Sequence, residues 1–266
     1  MPEGDTVHVT CQRLHRALAG AEVTRFDLRV PALALADLTG TRVDAVLPRG
    51  KHILMRFSNQ QTLHSHLRMD GSWRVGPARR GPRGREFEIR ALIGNAAYLA
   101  AGFRVHDLRL VPTADESLVV GHLGPDLLDP DFDRAEALRR FGQQPERPIG
   151  EALLDQRLVA GIGNVYKSEV LFRRHINPER AVAEVTQPEL ADLLDDAQRL
   201  LRANLTTFDR STTGWRQPGQ HYWVYGRAGK ACRNCGATIR RDDGAGGAGG
   251  SPEDRITFFC PSCQAR

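Results

Sequence analysis

Met1-Pro2-Glu3-Gly4-Asp5 sets an imino acid and a carboxylate side by side at the start of the chain. Removal of Met1, usual before a residue as small as proline, leaves a terminal secondary amine. A free α-amine titrates at about pH 8, so roughly a tenth of it is unprotonated and nucleophilic at neutral pH, far more than a lysine offers. Attack of that amine on an aldehyde yields an iminium that is cationic without taking up a proton. It draws electrons from the neighbouring carbon, and elimination follows from that. Glu3, next to it, can carry protons. The same start also fits a frayed tail, so the elements behind it decide.

Those elements begin with a helix. Val7, Cys11, Leu14 and Leu18 recur at helical spacing as one apolar stripe, with Asp5 as N-cap and Gly20 as the stop. Cys11 on that stripe reads as core. The amine therefore precedes a helix N-terminus, whose dipole lowers its basicity while Glu3 raises it. Residues 21–112 then read mostly as strands, with runs at 43–47, 53–57, 72–75, 87–93 and 97–99 divided by Gly, Pro and Asn turns. The pattern predicts a β-sandwich flanked by the first helix. Lys51, in Arg49-Gly50-Lys51-His52, follows a glycine turn from which it can reach a phosphate or an aldehyde, although most such lysines are simply solvated. In His66-Leu67-Arg68-Met69-Asp70-Gly71, Asp70-Gly71 predicts a hairpin turn with Met69 at an exposed tip beside His66. An apolar side chain there suits a wedge in a nucleic-acid duplex, and an isolated surface methionine suits it as well. The basic run at 79–85 contributes to the field of the molecule.

Gly124-Pro125-Asp126 opens a linker that breaks the strand pattern, and helices are expected beyond it. One helix is predicted over 151–159, followed by the turn Ala160-Gly161-Ile162-Gly163 and a second helix starting at Asn164, with Tyr166 and Val170 on one face. The amides at the start of that second helix, with the side chain of Asn164, can hold a phosphate. An αα-hairpin without a ligand has the same pattern. Thr186-Gln187-Pro188-Glu189 forms a capping box ahead of a longer helix whose Leu190, Leu193, Leu194, Ala197, Leu201 and Leu205 make a buried face.

The strongest local signal comes last. Cys232-Arg233-Asn234-Cys235 and Cys260-Pro261-Ser262-Cys263 provide two chelating pairs, the ligand set of a closed tetrahedral structural zinc, with iron-sulfur or redox use as the rival. Residues 237–241 and 255–259 read as the arms of a hairpin with a Gly/Ala-rich tip at 244–250, a module with little core of its own that a metal ion would hold together. Four of the 5 cysteines lie in these pairs, the pattern of metal binding in a reducing compartment. The chain has 266 residues and a net charge of +5, which suits a polyanionic partner. No stretch is apolar and long enough to span a bilayer and the N-terminus has no basic-then-apolar leader, so a soluble, cytoplasmic monomer without a membrane partner is expected.

Met1-Pro2-Glu3-Gly4, Arg49-Gly50-Lys51, His66 to Gly71, Leu153-Leu154-Asp155-Gln156 with Ala160 to Asn164, Trp223-Val224-Tyr225-Gly226-Arg227 and the paired cysteines occur in this order. Together they resemble the formamidopyrimidine-DNA glycosylase and endonuclease VIII family over residues 2–264. The resemblance implies an α+β chain in three parts: an N-terminal catalytic β-sandwich with flanking helices (1–124), a helix-two-turns-helix DNA-binding domain (125–225) and a β-hairpin zinc finger with one structural Zn2+ (226–266). It implies a base-excision-repair enzyme that is both glycosylase and AP lyase, with damaged DNA as its partner. Pro2 would attack C1′ of the damaged nucleotide and Glu3 would shuttle protons. Lys51 and Asn164 would hold the flanking phosphates, and Arg255 another. Met69, beside His66, would fill the gap left by the flipped base. The base is expelled, and successive β and δ eliminations leave a nick with phosphates at both ends. The Met-Pro-Glu-Gly start resembles the endonuclease VIII branch, which favours oxidised pyrimidines, and Asp107-Leu108-Arg109-Leu110 keeps only part of the loop by which the purine branch reads the opposite base. Thr6 stands where many relatives have glutamate, and the tip at 244–250 is longer than usual. A non-catalytic DNA-binding protein on the same scaffold and a tautomerase-like enzyme using Pro2 as a base are the competing classes.

Overall fold

The computed structural model describes residues 2–243 and 256–265 of the chain, which divides into two compact units, Met1–His122 and Leu123–Arg266. In the first unit, α1 (Gly4–Leu18) buries the predicted stripe, with Val7, Cys11, Leu14 and Leu18 in one core with residues from both sheets. The helix begins earlier than expected. Glu3, not Asp5, is the N-cap: its carbonyl accepts the Val7 N–H at 3.0 Å, while Asp5 sits in the first turn and accepts the Thr6 N–H at 2.7 Å. An acid in the first turn still complements the positive end of the helix.

Eight strands follow: β1 (Arg25–Leu28), β2 (Val43–Arg49), β3 (His52–Phe57), β4 (Gln61–His66), β5 (Ser72–Pro77), β6 (Ile89–Gly94), β7 (Tyr98–Phe103) and β8 (Asp107–Pro112). They form two antiparallel four-stranded sheets, ordered β2-β3-β4-β8 and β1-β6-β7-β5, whose inner faces share the core with α1. This is the expected sandwich. Of the strands that the sequence reading missed, β4 is the informative one. Gln61-Thr62-Leu63-His64-Ser65-His66 is mostly polar, yet it is central in its sheet, and Thr62, His64 and Ser65 are buried because other side chains bond them. Thr62 donates to Glu116 at 2.8 Å, Trp73 Nε1 donates to Ser65 at 3.2 Å, and His64 shares a hydrogen bond with His52. Phe87, expected to begin a strand, lies in a short 3-10 turn, 72% exposed.

The Asp70-Gly71 turn joins β4 to β5, which belong to different sheets, so it is a crossover and not a hairpin. A short helix, α2 (Ser117–Val120), ends this unit.

The second unit holds α3 (Arg134–Gly142), α4 (Ile149–Ala152), α5 (Asn164–Arg173) and α6 (Gln187–Ala203). The helix expected over 151–159 is the four-residue α4, which starts earlier and stops before Leu153. Beyond it Asp155 holds the backbone in a turn: its carboxylate accepts the Arg157 N–H at 3.0 Å and pairs with Arg147 and Arg157. α6 has the predicted capping box, Thr186 with Glu189, and buries Leu190, Leu193, Leu194, Ala197 and Leu201 against Tyr166 and Val170 of α5; Leu205 lies beyond its end and is half-buried. No helix or strand forms among residues 204–239, although helices were expected up to 225. Asn204 braces that stretch instead, bonding the carbonyls of Leu200 and Ser211 and accepting the Ser211 N–H. Strands β9 (Arg240–Asp242) and β10 (Thr257–Phe259) pair antiparallel, shorter than the predicted arms. No described helix is long and apolar enough to cross a membrane.

Candidate DNA site and metal centre

In the first unit the site residues expected from the sequence lie at the head of α1 and at two loops. Pro2 is half-buried and Glu3 is wholly buried. Glu3 thus lies next to the imino acid, at the N-cap of α1. Lys51 is half-buried in the two-residue turn between β2 and β3, where Arg49 pairs with His52.

The loop after β4 is braced rather than free. Arg68, at φ 52°, donates to Asp107 at 2.7 Å, Asp70 pairs with Arg104 at 3.5 Å, and the Gly71 N–H bonds the Leu67 carbonyl at 2.9 Å. A side chain at Gly71 would put its Cβ 2.5 Å from that carbonyl oxygen, so the turn requires glycine. Met69 on this loop is half-buried, between the exposed Arg68 and Asp70.

His66, half-buried, accepts the Arg68 N–H at 3.1 Å and stands at the edge of an imidazole cluster that the sequence reading did not find. His52 Nδ1 and His64 Nε2 are 2.7 Å apart, and the His52 ring centroid is 4.7 Å from that of His66 and 5.9 Å from that of His122. The antiparallel pairing of β3 with β4, with His52 opposite His66, brings these histidines together, a signal visible only once the two strands are paired. Burial pushes all three strand histidines down from 6.5, His64 and His66 to about 4 and His52 to about 2. Each is therefore neutral in the folded chain at pH values where the unfolded chain has begun to take up protons. The unfolded state binds more protons between about pH 6.5 and about pH 4, so folding stability rises with pH across that window and is lost as pH falls through it. Urea unfolding is expected to give a lower midpoint at about pH 5 than at about pH 7.5, with a smaller difference in His64→Gln. Equal differences in the two proteins would remove His64 from the cause.

In the second unit, Asn164 opens α5 behind its N-cap Gly163 and is 2% exposed. The two turns before it are held by one side chain. Gln156 accepts the Gly161 N–H at 3.0 Å and donates to the carbonyls of Leu154 at 2.8 Å and Ile162 at 3.0 Å, while Gly161 adopts φ +107°, a region that other residues avoid. α5 is buried on all sides from Asn164 to Phe172, including Lys167, Ser168 and Glu169. The sequence reading passed over these three, although a Lys-Ser-Glu run inside a wholly buried helix marks a polar anchorage.

The sulfurs of Cys232, Cys235, Cys260 and Cys263 all lie within 4.8 Å of one another, with Cys235–Cys260 at 3.4 Å and Cys232–Cys263 at 3.9 Å. A tetrahedron of thiolates at about 2.3 Å from one ion has edges of about 3.8 Å, so the four fit a metal ion. Hydrogen bonds to sulfur support this: Asn234 donates through its backbone to Cys232 and through its side chain to Cys263, both at 3.4 Å. Arg255 and the tip at 244–250 lie outside the described residues.

The model of the formamidopyrimidine-DNA glycosylase N-terminal domain matches residues 1–109, and that of the H2TH domain of the same glycosylase matches residues 123–215. The chain belongs to this family. A protein described as probable endonuclease 8 2 from Streptomyces coelicolor is 49% identical over 100% of this chain and 94% of its own length. The DNA-(apurinic or apyrimidinic site) lyase Nei2 of Mycolicibacterium smegmatis is 40% identical over 99% of both chains. Among solved structures, Lactococcus lactis Fpg (MutM) in complex with DNA containing N7-benzyl-Fapy-dG superposes with a TM-score of 0.81 at 26% identity over 100% of both chains. The family and the endonuclease VIII-like branch read from the motifs are thus borne out, as is the α+β fold with four clustered cysteines.

Proposed function

We propose that the chain is a bifunctional DNA glycosylase and AP lyase of base-excision repair, acting on damaged DNA and preferring oxidised pyrimidines. The observation that carries the reading is the wholly buried Glu3 beside Pro2 at the head of α1, in a chain of this family. With Met1 removed, the Pro2 nitrogen forms a bond to C1′ of the damaged nucleotide as the bond from C1′ to the base breaks. Glu3 moves the protons this requires at the sugar. The C1′–O4′ bond then breaks, O4′ taking a proton that Glu3 delivers, and the ring-opened sugar is left as the C1′ iminium; this acidifies C2′, loss of a proton there expels the 3′ phosphate, and a second elimination expels the 5′ phosphate. Lys51 and Asn164 hold phosphates next to the lesion, with Arg255 as a third grip. His66 and Met69 face the strand, Met69 taking the place of the displaced base. Residues 1–124 supply the chemistry and 125–225 the helix-two-turns-helix grip. Residues 226–266 form a finger organised by one Zn2+ on the four cysteines, and the enzyme works as a monomer at the nucleoid.

Borohydride trapping tests this reading. Protein mixed with a duplex carrying an abasic site or an oxidised pyrimidine, then reduced, is expected to give a covalent band that maps to Pro2. Absence of the band on both duplexes, with Met1 shown to be removed and metal present, leaves a DNA-binding protein without lyase chemistry.

A further inference from the structure

Glu169 lies in α5 with 0% exposure, and every group bonded to it donates. The Thr212 hydroxyl donates to Oε2, as does the Trp223 N–H at 2.8 Å; the N–H groups of Val224 and Tyr225 both reach Oε1 at 2.8 Å. Burial pushes the Glu169 carboxyl up, against the four hydrogen bonds that lower it, but four donors converging on one carboxyl match the ionised form, which accepts only, whereas a protonated acid would set its own hydrogen against one of them. The three consecutive N–H groups belong to the Trp223-Val224-Tyr225 segment that leads into the cysteine module. Two residues earlier, Lys167 Nζ, on a side chain 1% exposed, donates to the Ile256 carbonyl at 3.1 Å and to the Thr257 hydroxyl at 2.8 Å, at the second arm of the same module. Phe172, a turn further along the helix, completes the small core that Val224, Cys232, Ile239 and Cys260 form. One short helix therefore starts with Asn164 and seats both chain passes of the cysteine module through an anion and a cation.

We propose that Glu169 is a positioning residue for DNA binding: as a buried anion it fixes the entry segment 223–225, and with it the cysteine module, at a set offset from Asn164 on the same helix. Lys167 fixes the other pass. The segment from Ser211 to Tyr225 has no helix or strand to hold it, so a carboxylate in a nest of backbone amides takes that part. A folding role alone would make the module's metal content and the chemical step fall together when Glu169 is changed. A positioning role predicts a split: affinity for DNA falls, while metal is retained and the step at Pro2, in the other unit, proceeds once DNA is bound. The proposal rests on the reading of the second unit as a DNA grip.

The test uses the full-length, metal-loaded protein and a duplex with a central tetrahydrofuran abasic analogue for binding, and an abasic-site duplex for turnover. Glu169→Gln keeps the shape but turns an amide N–H2 toward backbone donors. Its Kd and KM are expected to rise at least about tenfold, with metal content unchanged and kcat at saturating DNA within about threefold of the wild type. Glu169→Asp, which keeps the charge, is expected to recover part of the affinity. Thr212→Val, which removes one donor and leaves the anion, gives a smaller rise and serves if Glu169→Gln does not fold. Wild-type affinity in Glu169→Gln, or in Thr212→Val where only that variant folds, overturns the proposal, and so does a joint loss of metal and kcat. Asn164→Ala separates the two readings. If it leaves Kd unchanged, the DNA grip assigned to α5 fails and the positioning role falls with it; if it weakens binding while Glu169→Gln does not, only the role of Glu169 fails.

Discussion

Pro2→Gly is expected to lower cleavage of an abasic-site duplex by about a thousandfold or more, while affinity for the same DNA stays within about twofold of the wild type. The substitution leaves an α-amine at the terminus, so charge is conserved and the phosphate grips are untouched. What changes is the adduct. A secondary amine gives an iminium that is always cationic, whereas the primary amine of glycine gives an imine that must first be protonated to pull electrons from C2′. Glycine also adds backbone freedom just ahead of the buried Glu3, so the amine is held less well against the reacting carbon. The measurement pairs single-turnover cleavage with a binding isotherm on the tetrahydrofuran duplex. Wild-type cleavage by Pro2→Gly would sink the covalent mechanism. A parallel loss of cleavage and binding would mean that Pro2 supports the fold of the site rather than its chemistry.

The parts of this molecule that were legible in the sequence are those in which one residue type does one thing locally. The α1 stripe, the capping box Thr186 to Glu189, the glycine turn before Asn164 and the paired cysteines each announce themselves over a few residues. β4 was not legible, because its burial depends on partners that come from Glu116, Trp73 and His52 and not from its own polar residues. The histidine cluster was hidden for the same reason: His52, His64, His66 and His122 are scattered in the chain, and strand register assembles the first three beside His122, which follows α2. Asp70-Gly71 shows the converse fault. Its turn chemistry was read correctly, but the choice between hairpin and crossover is made by which sheet the next strand joins, and that is a property of the whole sandwich.

The cysteine module carries the second large effect. Among the described residues its own core is small, Val224, Cys232, Ile239 and Cys260 with Phe172 from α5, and its sheet has two strands of three residues each. So little apolar burial cannot order a segment of this length, whereas a structural zinc contributes an apparent 10–16 kcal/mol, roughly, in isolated fingers. Cys260→Ser replaces a wholly buried sulfur by a hydroxyl that binds zinc poorly and leaves three sulfurs that cannot close a tetrahedron. Metal content is expected to fall from about one ion per chain to a small fraction of that, with DNA affinity reduced at least about tenfold. Chelation of the wild-type protein should reproduce the loss. Restoring Zn2+ should rescue the wild type and not the variant, which separates loss of the ion from damage to the rest of the chain. Metal-free wild-type protein that binds the tetrahydrofuran duplex with unchanged Kd would show that the four cysteines organise nothing the DNA touches, and the finger would then have to be removed from the DNA-binding surface.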